Sequence, residues 1–162
     1  MTAQIVGMDP GSTSGALAGV SDTGDLLWVM DMPTIEKKPA PTLLLSGYRE
    51  RAADIPVLLT VLENVHSMPK QGVASSFKFG SSKGHLEMLA AVIGAPTEFP
   101  SPTAWKKAMV LTRDKDRARS MAVELWPAHA DLFARKKDDG RAEAALMAEW
   151  GRRLLIERGK IA

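Results

Sequence analysis

The chain of 162 residues contains no cysteine. Disulfide bridges, thiolate catalysis and zinc sites built on thiolates are therefore excluded. Histidine is scarce as well, with three in the chain. Any metal ion would have to be bound mainly by carboxylate oxygens, which favours magnesium or manganese over softer ions.

Long apolar runs are also missing, and none approaches the length needed to cross a bilayer. The first residues lack the basic and apolar segments of a secretory signal, so we expect no export and no membrane association. The expected location is the cytoplasm of a bacterial or phage-infected cell, close to the nucleoid. Without repeats or polar tracts, residues 1–162 are expected to form one globular domain.

The net charge is only +2, although the isoelectric point is about 9.0. Basic residues cluster at positions 106–107, 113–119, 135–137 and 152–153. Basic clusters beside a few acids suit a polyanion that reaches its site through metal ions. Solvated helix faces explain the same clusters, and both interpretations stay open at this point.

The hydrophobic pattern predicts strands at 3–9, 14–21 and 25–31, and the tight turns between them indicate an antiparallel meander. After the meander, the pattern predicts a loop at 32–46, a short helix near 47–53 and a strand at 56–63. A loop rich in glycine, serine and lysine is predicted from 64 to 83, followed by a helix at 83–94 and an extended segment at 95–100. The rest of the chain is predicted to form helices from 101, at 114–125 and at 138–158. This order predicts an α/β fold with a mixed five-stranded sheet, in which parallel strands extend the meander and helices flank the sheet.

Four acidic residues occupy positions at which carboxylates need a counter-charge. Asp9 and Glu63 each close an otherwise apolar strand, and two carboxylates at neighbouring strand ends repel each other unless a cation lies between them. Asp139 and Glu143 share one face of the last helix, where the other residues are apolar. Such a set can bind two divalent ions about 4 Å apart. The adjacent Asp138 is interpreted as a helix N-cap.

The segment IVGMDPGSTSG at 5–15 resembles the first motif of RuvC-type Holliday junction resolvases, which belong to the RNase H-like superfamily. LENV at 62–65 resembles the second motif, and PTAWK at 102–106 and Asp114-Lys115 resemble segments on the DNA-facing side. The resemblance covers nearly the whole chain and implies an RNase H-like fold. It also implies Mg²⁺-dependent cleavage of four-way junctions, with Mn²⁺ as a substitute and two ions bound by Asp9, Glu63, Asp139 and Glu143. Bacterial RuvC ends with two aspartates three residues apart, whereas the spacing here resembles that of the plastid-type resolvases.

The same resemblance implies the residues that contact DNA. The family carries an aromatic residue shortly after the second acid to stack on junction bases; His66 takes that position here, and Phe77 or Phe79 are the alternatives. Lys115 is expected to act in catalysis by neutralising the scissile phosphate. The full set expected to contact branched DNA is His66, Lys70, Phe77, Lys78, Phe79, Lys83, Lys106, Lys107 and Lys115. Because a four-way junction is two-fold symmetric and needs two cuts, a homodimer is expected.

Three alternatives remain at this level. Another RNase H-like nuclease, acting on RNA–DNA hybrids or other branched DNA, would carry the same acids. DPGSTS at 9–14 also resembles the phosphate loop of actin-like ATPases and sugar kinases, but those proteins need a second, duplicated domain. A junction-binding protein without activity is the third alternative, and the retention of four acids argues against it.

Overall fold

The structure is a computed structural model. It describes residues 1–11, 13–52, 54–111 and 114–162, apart from the side chain of Lys115. The predicted catalytic and DNA-binding roles of that lysine therefore lie outside the described residues, as does Arg113 in the second basic cluster.

The strands form a mixed five-stranded sheet and a separate small hairpin. Along the chain they are β1 (Gln4–Asp9), β2 (Ala16–Ser21), β3 (Leu26–Asp31), the hairpin strands β4 (Thr34–Ile35) and β5 (Lys38–Pro39), β6 (Val57–Leu62) and β7 (Thr97–Glu98). The sheet order is β3-β2-β1-β6-β7. The first three strands pair antiparallel, and β6 runs parallel to both β1 and β7. The predicted fold class, with its meander and its parallel extension, is confirmed.

The helices are α1 (Pro41–Ala52), α2 (Val73–Ile93), α3 (Pro102–Ala108), α4 (Lys115–Leu125) and α5 (Asp139–Glu157), with 3₁₀ turns at Pro127–Phe133 and Lys136–Asp138. The Ser101 hydroxyl accepts the backbone N–H of Ala104 at 3.2 Å and caps α3. Among the described residues, no helix is long and apolar enough to cross a membrane.

Alternation along β1 divides the core into two layers. Ile5 contributes to a cluster with α3, α4 and α5, whereas Val6 and Met8 contribute to a cluster with α1 and α2 on the opposite face. Because side chains alternate in direction, Asp9 faces the same side as Ile5. The strand thus directs its terminal carboxylate toward the α5 layer.

Two boundaries differ from the sequence prediction. The first helix begins at Pro41 instead of near residue 47, and the small hairpin occupies part of the predicted loop. The segment 64–83, predicted as a loop, is helical from Val73 onward. Its glycine-rich composition lowers helix propensity by about 1 kcal/mol per glycine. Packing of the later turns through Leu86 and Leu89 outweighs this cost.

Candidate active site

Asp9 and Glu63 lie side by side at the carboxyl ends of two parallel strands. In the register of β1 and β6, Gly7 pairs with Val61 and Met8 with Leu62. The backbone N–H of Glu63 then donates to the carbonyl of Met8 at 3.3 Å, which continues the pairing one residue beyond β6. Strand alternation places both carboxylates on the face that α5 covers. The convergence predicted from the two strand ends is therefore present in the fold.

Two glycines allow α5 to approach these strand ends closely. A Cβ at Gly7 would lie 2.0 Å from the carbonyl oxygen of Ala144, in the middle of α5. A Cβ at Gly140 would lie 2.2 Å from the carbonyl oxygen of Ser14 and 3.2 Å from Oδ2 of Asp9. Any larger residue at either position would push the helix away from the sheet. The first turn of α5 consequently lies directly against Asp9.

Asp139 and Glu143 complete a group of four interacting carboxylates. Burial raises the pKa of Asp9 well above its ordinary value, the negative charges of Glu143 and Glu63 raise it further, and Asp139 adds to the effect. Burial also raises the pKa of Glu63, and the charge of Glu143 acts in the same direction. Glu63, Asp139 and Glu143 therefore all act on Asp9, and the negative charge of each disfavours the ionisation of that carboxyl.

Helix α3 supplies the described partners of two of these acids. Lys106 Nζ lies 2.8 Å from Oε1 of Glu143, and the two side chains are 28% and 15% exposed. The indole Nε1 of Trp105 donates to Oε1 of Glu63 at 2.8 Å, and the indole is fully buried. Lys106 was predicted to contact phosphate; in the structure its ammonium group lies on Glu143, a candidate metal ligand. No polar role was predicted for Trp105 from the sequence; the signal that could have revealed one is that a buried indole N–H needs an acceptor.

Asp138 has a structural role. It is 1% exposed, and its carboxylate accepts from the backbone N–H of Arg135 at 2.9 Å and from the guanidinium of the same residue. Burial raises the pKa of Asp138, but the hydrogen bonds from Arg135 and the positive charges of Arg141 and Arg135 together hold that pKa below its ordinary value. The N-cap interpretation expected the Asp138 carboxylate to accept a backbone N–H of α5. The carboxylate makes no such bond and instead closes the 3₁₀ turn that precedes the helix. Because the carboxylate of Asp138 is already held by Arg135, Asp139 is the better candidate for a metal ligand of these two aspartates.

Beyond the site, the first half of α2 projects into solvent. Phe77 is 78% exposed, Lys78 is exposed and Phe79 is half-buried. Lys83, half-buried, forms an ion pair with Glu87 at 3.4 Å. The helix is anchored at Ser82, whose buried hydroxyl donates to the carbonyl of Gly11 at 2.8 Å. The turn that follows Asp9 is thus joined to the middle of α2, just beyond the exposed first half of that helix.

The remaining predicted DNA contacts fall into two groups. His66 and Lys70 are exposed in the segment between β6 and α2, and Lys107 is exposed on α3. Each of the four basic clusters has at least one residue paired with an acid of the same chain: Lys106 with Glu143, Arg119 with Asp116, Arg135 with Asp138, and both Arg152 and Arg153 with Glu149. Arg152 and Arg153 both donate to Glu149, which is 3% exposed.

The candidate donors do not form a closed metal cage. Within the described residues, no three acidic or histidine side chains are grouped as a ready metal site. The ammonium group of Lys106 instead compensates part of the negative charge. The donor set still fits a hard divalent cation, since it consists of carboxylate oxygens whose mutual repulsion a cation would relieve.

No protein-family model matches the chain. In sequence it is 28% identical over 166 aligned positions to the crossover junction endodeoxyribonuclease RuvC of Nitratidesulfovibrio vulgaris strain Hildenborough, covering 98% of this chain and 96% of that protein. In structure it resembles Thermus thermophilus RuvC in complex with a Holliday junction substrate, with a TM-score of 0.67, 18% identity and 98% of each chain covered. The yeast mitochondrial Holliday junction resolvase follows with a TM-score of 0.56 and 14% identity, covering 98% of this chain and 83% of that chain. The predicted resemblance to RuvC-type proteins is confirmed in sequence and in fold.

Proposed function

We propose that this protein is a metal-dependent endonuclease that hydrolyses phosphodiester bonds at four-way DNA junctions by paired symmetric nicks, in recombination and repair. The observation that carries the proposal is the convergence of Asp9, Glu63 and the first turns of α5 at one edge of the sheet. The similarity to a crossover junction endodeoxyribonuclease over 98% of the chain supports the substrate class.

Asp9, Glu63, Asp139 and Glu143 would hold two Mg²⁺ ions, for which Mn²⁺ would substitute. When bound, the ions supply an activated water and stabilise the charge that develops on the leaving 3′ oxygen. Burial of Glu63, at 5% exposure, keeps bulk water away from one side of the site. For Glu143 to bind a cation, its ion pair with Lys106 has to loosen, and the released ammonium group could then meet a phosphate oxygen.

The DNA-binding surface would run from the site along the exposed start of α2. Its position beside the turn after Asp9 follows from the Ser82 anchor. Phe77 would stack on an unpaired junction base, with His66 or Phe79 as alternatives, because aromatic rings bind bases without sequence preference. The proposed phosphate contacts are Lys70, Lys78, Lys83, Lys106, Lys107 and Lys115.

The whole chain, residues 1–162, would act as a single nuclease domain. Since one junction requires two symmetric cuts and the proposed domain has one site, the active form would be a homodimer. The protein would act in the cytoplasm of a bacterial or phage-infected cell, where its proposed DNA substrate is found.

Cleavage of a synthetic immobile four-way junction tests the proposal. The junction, a matched linear duplex and an RNA–DNA hybrid would each be incubated with and without Mg²⁺, with Asp9→Asn as the control variant. We expect paired nicks in the junction alone, which disappear without Mg²⁺ and in the variant. Equal cleavage of the duplex or the hybrid would replace the proposal with another RNase H-like activity. Tight junction binding without cleavage would indicate a protein that binds junctions and does not cut them.

A further inference from the structure

Trp105 combines full burial with a specific polar contact. Its side chain has no exposed surface, and it lies in the core cluster beneath α5. Its indole Nε1 donates to Oε1 of Glu63 at 2.8 Å. An indole N–H can only donate, so the carboxylate of Glu63 is the acceptor of this bond.

The backbone around Trp105 is tied to the same strand that carries Glu63. The N–H groups of Thr60 and Asn64 donate to the carbonyls of Pro96 and Pro100 at 2.9 and 2.8 Å. The segment that leads into α3 is thus bonded alongside β6, and the Ser101 cap starts the helix immediately afterwards. The indole therefore reaches Glu63 from a rigid, closely connected element rather than from a flexible loop.

We propose that Trp105 is a positioning residue that orients Glu63 for metal binding, holding Oε1 and leaving the second carboxylate oxygen to the cation. This proposal rests on the proposed metal-dependent function. A carboxylate that is already hydrogen-bonded in one orientation loses less rotational freedom when it binds an ion. A phenylalanine at position 105 would fill much of the same space without donating.

Binding of Mn²⁺ to Trp105→Phe, measured by titration calorimetry, tests the proposal without relying on cleavage. Trp126→Phe is the matched control, because Trp126 is 5% exposed, lies in the same core cluster and donates its indole N–H to the carbonyl of Gly24 at 2.9 Å. We expect Mn²⁺ affinity to fall by about tenfold or more in Trp105→Phe, and to stay at the wild-type value in Trp126→Phe. Equal affinity in both variants and the wild type would overturn the proposal, as would an equal loss in both variants.

A second measurement covers the case in which Trp105→Phe fails to fold. In wild-type protein with ¹⁵N-labelled indoles, the variants Trp28→Phe, Trp126→Phe and Trp150→Phe assign three signals, and the remaining one belongs to Trp105. On addition of Mg²⁺ we expect the Trp105 signal to shift, because the ion draws charge from its acceptor, while the Trp126 signal stays in place. A stationary Trp105 signal at saturating Mg²⁺ would overturn the proposal.

The two metal-binding measurements test the role of Trp105 separately from the cleavage of junctions. A wild-type protein that binds Mn²⁺ but leaves junctions intact would refute the proposed substrate, and a Trp105-dependent Mn²⁺ affinity in that protein would still support the orientation of Glu63. A wild-type protein that binds no Mn²⁺ would refute the metal site and, with it, the role of Trp105.

Discussion

Asp9 is the residue at which the charges of the site meet. Burial raises its pKa well above the ordinary value, Glu143 and Glu63 raise it further, and Lys106 opposes them. A carboxyl whose pKa is raised by folding destabilises the folded state once it is ionised, because the unfolded chain ionises more readily. In the absence of a cation, the site therefore reduces the stability of the fold.

Ionised Asp9 lowers the free energy of unfolding, and we call this loss the Asp9 penalty. Replacing Asp9 with asparagine should remove the penalty, so the gain in stability should depend on pH. The penalty is absent below the ordinary aspartate pKa of about 3.9 and grows as pH rises toward the elevated folded-state pKa. In EDTA, Asp9→Asn should be more stable than the wild type at about pH 8, and its advantage should shrink as pH falls toward about pH 5. Urea unfolding across this range measures the difference. Asp131→Asn, at an exposed position, is the control, and a pH-independent gain in Asp9→Asn would contradict the expectation.

Lys106 and Lys107 are neighbours with different surroundings, which makes them a matched pair for substitution. Lys106 is bonded to Glu143, whereas Lys107 is exposed. Lys106→Ala should lower the metal-free free energy of unfolding by about 1 kcal/mol or more, because it leaves partly buried acids without their cation. Lys107→Ala should leave stability unchanged.

Urea unfolding of both variants with and without Mg²⁺ provides the measurement. Added Mg²⁺ should restore much of the stability of Lys106→Ala, since the ion replaces the lost positive charge. If both variants lose the same stability, or if Mg²⁺ restores none of it, the charge-compensating role of Lys106 is wrong.

At the scale of elements, the crossing of α5 over β1 decides whether the site exists. The helix contributes Asp139 and Glu143, and the sheet contributes Asp9 and Glu63, so the distance between the two layers sets the distances between the carboxylates. Gly7 makes the close crossing possible. A backbone contact of this kind cannot be relieved by rotating a side chain.

Gly7→Ala should therefore be strongly destabilising. The added Cβ would meet the Ala144 carbonyl at 2.0 Å, so we expect a loss of about 3 kcal/mol or more in the free energy of unfolding, together with loss of metal binding. Gly84→Ala is the control: it lies inside α2 with no atom within 4 Å of an added Cβ, and it should gain up to about 1 kcal/mol. Thermal unfolding compares them, and a Gly7→Ala protein as stable as the wild type would show that α5 can shift without cost.

At the scale of the whole molecule, the symmetry of the proposed substrate constrains the assembly. A four-way junction presents two equivalent strands, and one protomer with one site cuts one of them. Two coordinated cuts require two protomers bound to the same junction.

Mixed dimers should therefore nick without resolving. When the wild type is mixed with excess Asp9→Asn, most active dimers carry one working site, so singly nicked junctions should accumulate while paired nicks fall. Sedimentation of the free protein measures its oligomeric state, and gel analysis of a cruciform plasmid measures the ratio of paired to single nicks. A monomer that makes both cuts, or a mixture that keeps the wild-type ratio of paired to single nicks, would contradict the dimer.

The sequence predicted those parts of the fold that depend on local pattern. Alternation and tight turns predicted the meander, and apolar runs with terminal acids predicted the strand ends at Asp9 and Glu63. It missed the early start of α2, because the glycine, serine and lysine residues at 64–83 are typical of a loop while the packing that stabilises the helix comes from later turns. Helix spacing predicted that Asp139 and Glu143 share a face, but not which aspartate of the 138–139 pair approaches the strands.

The sequence by itself determined which atoms are available: four carboxylates on predictable elements, no thiolate, and lysines beside an indole. Only the tertiary structure decided how those atoms pair. Lys106 lies on Glu143, Trp105 lies on Glu63, and Asp138 is held by Arg135. The first two pairs join residues about forty positions apart, and hydrophobic periodicity carries no information on contacts between distant elements. Their geometry follows from the packing of α3 and α5 against the sheet, where two glycines set the closest approach.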